Sequence, residues 1–320
     1  PILLECMTFR MRGHEEASGT KYVPDELFEE WSAKDPVVNF ENFLVGENLL
    51  NVSAIESIRS GIKAEIELGL EKAYAEPSIH VSTETELKDI YADFDYKPVI
   101  SVAEVKEMRM IDSIADAIEL AMAKHHNLIL MGQDIAEYGG VFKATDGLLT
   151  KYGKSRVRNT PLCEAAIVGS ALGLSINGFK AMMEMQFADF VTEGFNQIVN
   201  NLAKIHWRWG QNADVVVRMP TGAGVAAGPF HSQSNEAWFA HIPGLKIAYP
   251  SNAYDAKGLL LTAFEDSNPV MVFEHKALYR STNEEVPVGY YNLPFGKANL
   301  VSEGNELSII TYGMGVHWAQ

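Results

Sequence analysis

The stretch IDSIADAIELAMAKHHNLILM, residues 111–131, contains the pattern that decides the fold. Its first part places apolar residues at the spacing of one helix face, and its end, NLILM, is a short apolar run typical of a buried strand. The residues that share the helix face are Ile111, Ile114, Ala115, Ile118 and Met122. A helix that leads into a strand apolar along its whole length is typical of a sheet covered on both faces.

The same kind of run recurs along the chain. The later strand candidates are KAMMEMQF (180–187), DVVVRM (214–219), LKIAYP (245–250), PVMVFEH (269–275) and LSIITY (307–312). Helices are predicted at residues 163–176, 192–208 and 253–265. Ser251 or Asn252 can cap the last of these helices. The alternation predicts an α/β fold with a mainly parallel sheet and helices on both faces, in which ligands bind at the carboxyl ends of the strands.

The beginning of the chain has a different organisation. Residues 1–9 are mostly apolar and predict a buried strand, whereas the polar segment 10–24 predicts an exposed loop. Two short helical patterns follow within residues 24–49, and Asp35-Pro36 separates them.

The clearest helix of the sequence covers residues 53–74, where isoleucines and leucines recur at helical spacing. Ser53 and Glu56 form the pattern of a capping box at its start. Periodicity is lost after this helix, and Pro77 and Pro98 interrupt the segment that follows. That segment is predicted to be a linker between two units.

Composition narrows the class of protein. The chain has 320 residues, a net charge of −16 and two cysteines, Cys6 and Cys163. So few cysteines favour a reducing, cytoplasmic location over a disulfide framework. The negative charge disfavours nonspecific binding to nucleic acid or to an anionic membrane, and no apolar run approaches the ~20 residues of a membrane helix. Because the chain begins at Pro1, we expect it to be part of a longer protein.

Three loops contain residues suited to chemistry. In NTPLCEAAIVG (159–169), Thr160 can cap a helix, Pro161 suits its first turn, and Glu164 lies in that turn. An acidic residue there can simply complement the helix dipole, so catalysis and capping both remain open.

The second loop, MPTGAGVAAGPFHSQSNEAWFAH (219–241), contains three glycines and His231. It is a poor dinucleotide fingerprint, because Pro229 and Phe230 do not open an apolar helix. A flexible turn with a structural histidine is the alternative to a functional one.

In the third loop, Arg10, Arg12 and His14 could meet a diphosphate or form an ordinary solvated surface.

The order and wording of the motifs point to one family. TPLCE, EMQFADF, HSQSNEAWFAH, PSNAYDAKGLL and EDSNPVMVFEHKALYR resemble the beta subunit of branched-chain 2-oxo-acid and pyruvate dehydrogenases over residues 106–320. LLECMTFRMRGHEEASG resembles the C-terminal end of the alpha subunit of the same enzymes. The resemblance implies an alpha–beta fusion with an alpha part at 1–75, a linker at 76–105, a pyrimidine-binding domain at 106–290 and the start of a further domain at 291–320.

The resemblance implies a decarboxylating component that depends on thiamine diphosphate. Glu164 matches the glutamate that hydrogen-bonds the aminopyrimidine ring, and His231 matches a histidine that faces the substrate. His14 matches a histidine that reaches the diphosphate and helps to receive the lipoyl group, with Arg10 beside it. The positions that line the pyrimidine pocket are Leu162, Gln186 and Phe190.

The family also binds a monovalent cation, potassium being the candidate. The matching positions are Val215, Ala263, Asp266 and Asn268. Carbonyl oxygens with one carboxylate suit a hard cation. The alternative is that Asp266, Ser267 and Asn268 cap the C-terminus of the preceding helix.

The sequence departs from the family in two places. Family members controlled by a kinase have a serine directly after the loop histidine, where this chain has Glu15. The Gly-Asp-Gly motif that holds magnesium and the diphosphate is absent, and its nearest match, Thr145-Asp146-Gly147, lies in the wrong part. Magnesium ligands are therefore expected in an alpha part that this sequence lacks.

The implied reaction is oxidative decarboxylation of a 2-oxo acid, with acyl transfer to the lipoyl group of an acyltransferase partner. The expected substrate is branched-chain and similar to 2-oxoisovalerate. The alternatives are a pyruvate or acetoin dehydrogenase component, a transketolase relative and a non-catalytic beta-like module. A site formed where subunits meet predicts a homo-oligomer of fused chains.

Overall fold

The computed structural model describes residues 2–15 and 17–320, and the chain divides into two compact units at residues 80 and 81. Unit 1 comprises residues up to 80, and unit 2 comprises the rest. No helix among the described residues is both long enough and apolar enough to cross a membrane. The predicted domain limits at 75, 105 and 290 stay predictions.

Unit 1 is helical, with α1 at Asp25–Ser32, α2 at Pro36–Gly46 and α3 at Val52–Ala75. The two short helices and the long one are confirmed. Helix α1 ends at Ser32. Asp35 caps the start of α2, because its Oδ1 atom accepts hydrogen bonds from the backbone N–H groups of Val37 and Val38.

Two predictions for unit 1 are wrong. Residues 2–9 form no strand, and Ile2 and Leu3 are almost fully exposed, because an apolar run becomes a strand only where another strand offers hydrogen-bonding groups. Asn51, not Ser53, caps α3, and its side chain accepts a hydrogen bond of 2.8 Å from the backbone N–H of Ala54. Pro1 and Glu16, which belong to the predicted strand and loop, lie outside the described residues.

Unit 2 contains the predicted parallel sheet. Its strands are β1 Val105–Arg109, β2 Leu128–Gly132, β3 Val157–Asn159, β4 Lys180–Glu184, β5 Val215–Thr221, β6 Lys246–Ala248, β7 Val270–His275 and β8 Asn283–Pro287. Its α-helices are α4 Thr83–Ile90, α5 Met110–Lys124, α6 Leu148–Tyr152, α7 Glu164–Ile176, α8 Val191–Asn196, α9 Ile205–Trp209, α10 Glu236–Ala240, α11 Ala253–Glu265, α12 Leu278–Ser281 and α13 Met314–Ala319.

Six strands form one sheet in the order β3-β2-β4-β5-β7-β6, and every pair in it is parallel. Strands β1 and β8 form a separate antiparallel pair. Successive residues of β4 enter different cores: Met182 packs with residues of α5 and α11, and Met183 packs with residues of α7. The prediction of a sheet covered on both faces is therefore confirmed.

Some elements differ from the sequence prediction. Residues 307–312 form no strand, and Ile310 is 95% exposed, because no described strand pairs with them. The single helix predicted at 192–208 is divided into α8, a π-helical segment at Gln197–Leu202, and α9. Asn252 caps α11 as predicted, with its side chain accepting from the backbone N–H of Asp255.

Part of the predicted linker is fixed to unit 2 by two buried asparagines. The side chain of Asn268 accepts from the backbone N–H of Ala92 at 2.8 Å and donates to its carbonyl at 2.9 Å. The side chain of Asn292 accepts from the backbone N–H of Val99 at 2.7 Å. Residues 92–99 have no regular secondary structure. The asparagine side chains therefore supply hydrogen bonds that a helix or a strand would otherwise provide to this backbone.

The centre of the sheet contains a buried ion cluster. Arg218 of β5 is 1% exposed and donates to Glu184 of β4 and, through two hydrogen bonds of 2.7 Å, to Glu274 of β7. Tyr279 donates to Glu274 at 2.6 Å. Burial alone would lower the pKa of Arg218, but the two carboxylates outweigh it and raise that pKa. Burial also raises the pKa of Glu184. The guanidinium therefore links three neighbouring strands.

Replacing Arg218 by methionine should strongly destabilise unit 2. The change leaves two buried carboxylates without their cation, and breaking a buried pair in this way costs ~3–5 kcal/mol. Urea unfolding of the Arg218→Met variant measures the loss. The control is Lys151→Met, which removes an exposed ion pair with Glu119 and should change stability little. Equal losses in the two variants would contradict this role of Arg218.

Candidate functional site

Four of the eight buried side-chain atoms that make no hydrogen bond within the described residues lie at the carboxyl edge of the parallel sheet. Thr160 follows β3, Asp189 follows β4, and His275 and Lys276 lie at the end of β7. Each has a buried side-chain atom that makes no hydrogen bond within the described part of the chain: Thr160 Oγ1, Asp189 Oδ2, His275 Nδ1 and Lys276 Nζ. Buried polar groups are nearly always satisfied, so this edge fits a site completed by a ligand or by water.

Glu164 lies at this edge, in the first turn of α7, and is buried. Gln133, which follows β2, donates a hydrogen bond of 3.0 Å from Nε2 to Glu164 Oε1. No other hydrogen bond to this carboxyl group is present within residues 2–15 and 17–320. Glu164 is therefore held in place by one neutral donor, in the first turn of its helix.

The predicted cap of this helix is wrong. The helix begins at Glu164, its N-cap position is Cys163, and the side chain of Thr160 makes no capping hydrogen bond. The backbone N–H of Thr160 instead donates to the carbonyl of Gly132 at 2.9 Å, which extends the β2–β3 pairing and keeps Thr160 one turn away from the helix start. The prediction that Glu164 lies in the first turn is confirmed.

The predicted pocket residues follow the same strands. Leu162, after β3, is 82% exposed, so its side chain is available to contact a ligand. Gln186 and Phe190 follow β4 and are partly buried. Gln186 donates to Asp134 at 2.9 Å, and Asp134 follows β2. The pocket-lining roles of Leu162, Gln186 and Phe190 stay predictions, and their positions at the carboxyl edge are compatible with them.

His231 packs against two aromatic rings of the EMQFADF segment. Its ring centroid lies 4.6 Å from that of Phe187 and 5.5 Å from that of Phe190, and both contacts are edge-to-face. Phe187 also contacts Phe142 edge-to-face at 5.6 Å. The structure therefore brings His231 and Phe190 together, although they are distant in sequence.

Asp189 fixes the loop that contains His231. Its Oδ1 atom accepts hydrogen bonds of 3.1 Å from the backbone N–H groups of Ser232 and Gln233. Asn235 adds a hydrogen bond of 2.8 Å to the carbonyl of Ala188. Sequence reasoning missed Asp189, although an aspartate between two phenylalanines, five residues after a buried strand, was a signal that could have identified it.

Lys276 is a second residue that the sequence analysis missed. Burial lowers its pKa to about 8, although nearby Asp189 acts to raise it. Its Nζ atom lies 5.3 Å from the centroid of Phe187, the ring that also contacts His231. Burial also lowers the pKa of His275, and the charge of Lys276 lowers it further. A lysine directly after a buried strand that ends in Glu274 and His275 was the signal in the sequence.

Arg10 and His14 belong to unit 1 and are exposed there. The preceding residue of this segment, Phe9, packs against Phe28 and Trp31 of α1, with ring centroids 5.4 and 5.9 Å apart. The segment is thus attached to the helices of its own unit. The roles of Arg10 and His14 toward a diphosphate stay predictions.

The predicted cation ligands lie at the opposite edge of the sheet. Val215 begins β5, Ala263 lies in the last turns of α11, and Asp266 and Asn268 are buried directly after that helix. Asp266 accepts from the backbone and side chain of Asn268 through Oδ1, and from Lys246 through Oδ2 at 2.6 Å.

These hydrogen bonds fit the alternative in which Asp266 and Asn268 end the helix. Asp266 stands at the C-cap position, and its backbone N–H donates to the carbonyl of Thr262 at 3.1 Å. Backbone carbonyls would then have to supply most ligands of a cation. No group of three or more acidic, histidine or cysteine side chains is arranged to hold a metal in the described part of the chain. Cation binding by Val215, Ala263, Asp266 and Asn268 stays a prediction.

Comparison with known proteins gives two family matches. The family described as "Transketolase, pyrimidine binding domain" matches residues 106–282. The family described as "Dehydrogenase E1 component" matches residues 1–82. The first match covers the parallel sheet and every loop of the site in unit 2.

Curated relatives are similar over the same region. The 2-oxoisovalerate dehydrogenase subunit beta of Bacillus subtilis (strain 168) is 47% identical over 66% of this chain and 65% of its own length. The mitochondrial 2-oxoisovalerate dehydrogenase subunit beta of Dictyostelium discoideum is 44% identical over 67% of this chain and 58% of its own length. The pyruvate dehydrogenase E1 component subunit beta of Bacillus subtilis (strain 168) is 44% identical over 66% and 66%. The chain thus spans about two thirds or less of the length of these relatives.

Gly222→Ala should displace His275 as well as strain the backbone. Gly222 and Gly228 both have a φ of +80°, but a Cβ on Gly222 would lie 2.3 Å from His275 Nε2, whereas one on Gly228 would meet nothing within 4 Å. Both alanine variants should lose ~1–3 kcal/mol from backbone strain. Only Gly222→Ala should lose more and shift the NMR signals of the His275 ring. Equal stability losses with unchanged His275 signals would contradict the proposed close packing.

Proposed function

Because this chain belongs to the family of the transketolase pyrimidine-binding domain, we propose that it is part of the thiamine-diphosphate-dependent decarboxylating component of a 2-oxo-acid dehydrogenase. The observation that carries the proposal is the buried carboxyl of Glu164, held by Gln133 at the same edge of the sheet as four buried polar atoms that lack partners. The E1 match over residues 1–82 supports the same component.

The residues of unit 2 fit the pyrimidine half of the cofactor. Glu164 would hydrogen-bond the aminopyrimidine ring, and Leu162, Gln186 and Phe190 would line its pocket. An exposed leucine and a phenylalanine ring pack better against an aromatic ring than against a purely polar ligand. Thiamine diphosphate, when bound, supplies the electron sink that decarboxylation needs, and the protein supplies orientation and electrostatics.

Glu164 has to share a proton with a ring nitrogen in this role. Its geometry suits that task, because Gln133 occupies one carboxyl oxygen and fixes the orientation of the group without neutralising its charge. His231 would donate or accept a proton at the substrate, since an imidazole ring has one nitrogen that donates and one that accepts. The aromatic contacts of Phe187 and Phe190 hold its ring.

The diphosphate and magnesium would be held elsewhere. Their ligands are expected in the alpha part, and Arg10 and His14 would contribute from the segment that resembles its C-terminal end. His14 would also help to receive the lipoyl group of an acyltransferase partner. A fused alpha–beta chain would complete its site in a homo-oligomer. Both cysteines are unpaired and exposed, which fits the proposed reducing, cytoplasmic location.

The proposed substrate is a branched-chain 2-oxo acid similar to 2-oxoisovalerate. Pyruvate is the second candidate, because relatives named for the two acids are almost equally similar, at 47% and 44% identity. Turnover of 2-oxoisovalerate and pyruvate by the native protein, with a lipoyl acceptor, separates the two. A potassium ion at Val215, Ala263, Asp266 and Asn268 is part of the proposal, and potassium-dependent thermal stability would test it.

Glu164→Gln should abolish turnover of the 2-oxo acid by the native protein and leave the fold intact. The amide keeps the shape of the carboxyl but cannot share a proton, and loss of such a group commonly costs ~10²–10⁴-fold. Steady-state assays give the rate, and circular dichroism gives the fold. The matched control is Glu119→Gln, an exposed glutamate of α5 that should retain full activity. Near-normal decarboxylation by Glu164→Gln would rule out its assigned role.

The 320 residues alone should bind thiamine diphosphate weakly. The matched residues account for the pyrimidine side only, whereas a diphosphate needs a magnesium ion held by oxygen ligands. The net charge of −16 gives no general attraction for an anion. Calorimetry with magnesium measures the affinity. Binding with a dissociation constant of about 1 μM or tighter would show that the chain holds a diphosphate site of its own.

A further inference from the structure

One lysine at the carboxyl edge of the sheet is buried without a partner. Lys276 directly follows β7 and is 3% exposed. Its Nζ atom makes no hydrogen bond to any described residue. A lysine ammonium has three donors and no acceptor, and burying it without an acceptor is costly. The position therefore fits a residue whose hydrogen-bond partner is supplied by a bound molecule.

Asp189 is close to Lys276 but does not satisfy it. The aspartate is near enough to raise the pKa of the lysine, yet the two side chains form no hydrogen bond, and Asp189 Oδ2 is itself buried without a partner. The other oxygen, Oδ1, is occupied by the backbone N–H groups of Ser232 and Gln233. Asp189 thus anchors the His231 loop and leaves the donors of Lys276 unoccupied.

Aromatic side chains form the apolar part of this environment. Lys276 Nζ lies 5.3 Å from the centroid of Phe187, and the ring of His231 lies 4.6 Å from the same centroid. The ammonium and the imidazole therefore share one aromatic neighbour. A suitable ligand would be a small molecule with an anionic oxygen group for the ammonium and an apolar remainder for the rings. An aliphatic 2-oxo acid has both features.

We propose that Lys276 binds the carboxylate of the 2-oxo acid substrate, and that Asp189 is a positioning residue that holds the His231 loop beside it. The assignment rests on the proposed function, from which it takes the substrate class. The ammonium contacts the bound acid, and this contact is lost as carbon dioxide leaves. It therefore strengthens substrate binding more than it lowers the barrier of the chemical step.

The charge of Lys276 should make binding depend on pH. Asp189 after β4 and His275 on β7 interact electrostatically with it, and His231 contacts the same Phe187 ring. Glu274, two residues earlier on β7, belongs to the cluster with Arg218, Glu184 and Tyr279. In the free protein the ammonium should lose its proton at a pH of about 8. An anion favours the charged form and raises this pKa, so affinity for the acid should fall as the pH rises above that value.

The test follows the lysine itself by NMR. The Cε signals of 13C-labelled lysines are recorded against pH, without thiamine diphosphate so that the acid is not decarboxylated, before and after addition of 2-oxoisovalerate. Lys276, assigned with Lys276→Met, should titrate near pH 8 and move to a higher midpoint when the acid is added. Lys257 is the internal control: it is also fully buried, but it is paired with Asp116 and the carbonyl of Pro287, so its signal should not move.

Inorganic phosphate at the same concentration distinguishes substrate binding from general anion binding. A shift with 2-oxoisovalerate that phosphate does not reproduce supports the proposal. No shift, or an equal shift with both anions, overturns it and leaves Lys276 and Asp189 as a pair bridged by water. The titration itself uses the unmodified chain, and the Lys276→Met variant serves only to assign the signal.

Kinetics of the native protein give an independent readout. Lys276→Met should raise the KM for the 2-oxo acid by about tenfold to a hundredfold, the range for one charged hydrogen bond, with a smaller change in kcat. Lys276→Arg should recover part of the loss. An unchanged KM with normal turnover would contradict the assignment of Lys276 to the substrate carboxylate and would leave the proposed function intact. Lysine-dependent binding of the acid without any decarboxylation would remove the proposed function and keep the assignment.

Discussion

The guanidinium of Arg218 is the interaction on which the arrangement of unit 2 depends. It is buried at the centre of the sheet and is shared by two carboxylates from the strands on either side. Charge taken out of water is stabilised only when geometry and hydrogen bonding are good. The cluster therefore favours one register of β4, β5 and β7 over its alternatives, since a slip of one residue would leave all three charges unpaired in the core.

That register decides where the chemistry can occur. Because the three strands are parallel, the loops that follow them meet at one edge, and they bring Asp189, Gly222 and Lys276 together. Gly222 has to be a glycine, because His275 occupies the space of its Cβ. Asp189 then holds the loop of His231 with two backbone hydrogen bonds. The Arg218 cluster stabilises the fold. At the carboxyl ends of the same strands lie buried polar atoms that have no partner within the described residues.

The contrast between the two clusters indicates a division of roles. Every charged group around Arg218 has a partner, as expected for a part of the structure that stabilises it. Around Lys276, its own Nζ atom, Asp189 Oδ2 and His275 Nδ1 are also buried but make no hydrogen bond within the described residues. Functional sites commonly retain such unfavourable features because the surrounding structure maintains them. The same reasoning separates Lys276 from Lys257, which is also buried but has an ion pair with Asp116 and a hydrogen bond to the carbonyl of Pro287.

The sequence by itself determined the class of fold, since the spacing of apolar residues is a local property that marks α5, β2, α7 and α11 without knowledge of their neighbours. It also placed Glu164 in the first turn of its helix. Only the tertiary structure decided that residues 2–9 and 307–312 are not strands, because a strand needs a partner for its backbone groups. Burial likewise depends on distant neighbours. Asp189 and Lys276 look like ordinary charged residues in the sequence, and they became candidates only when the ends of β4 and β7 were found to enclose them.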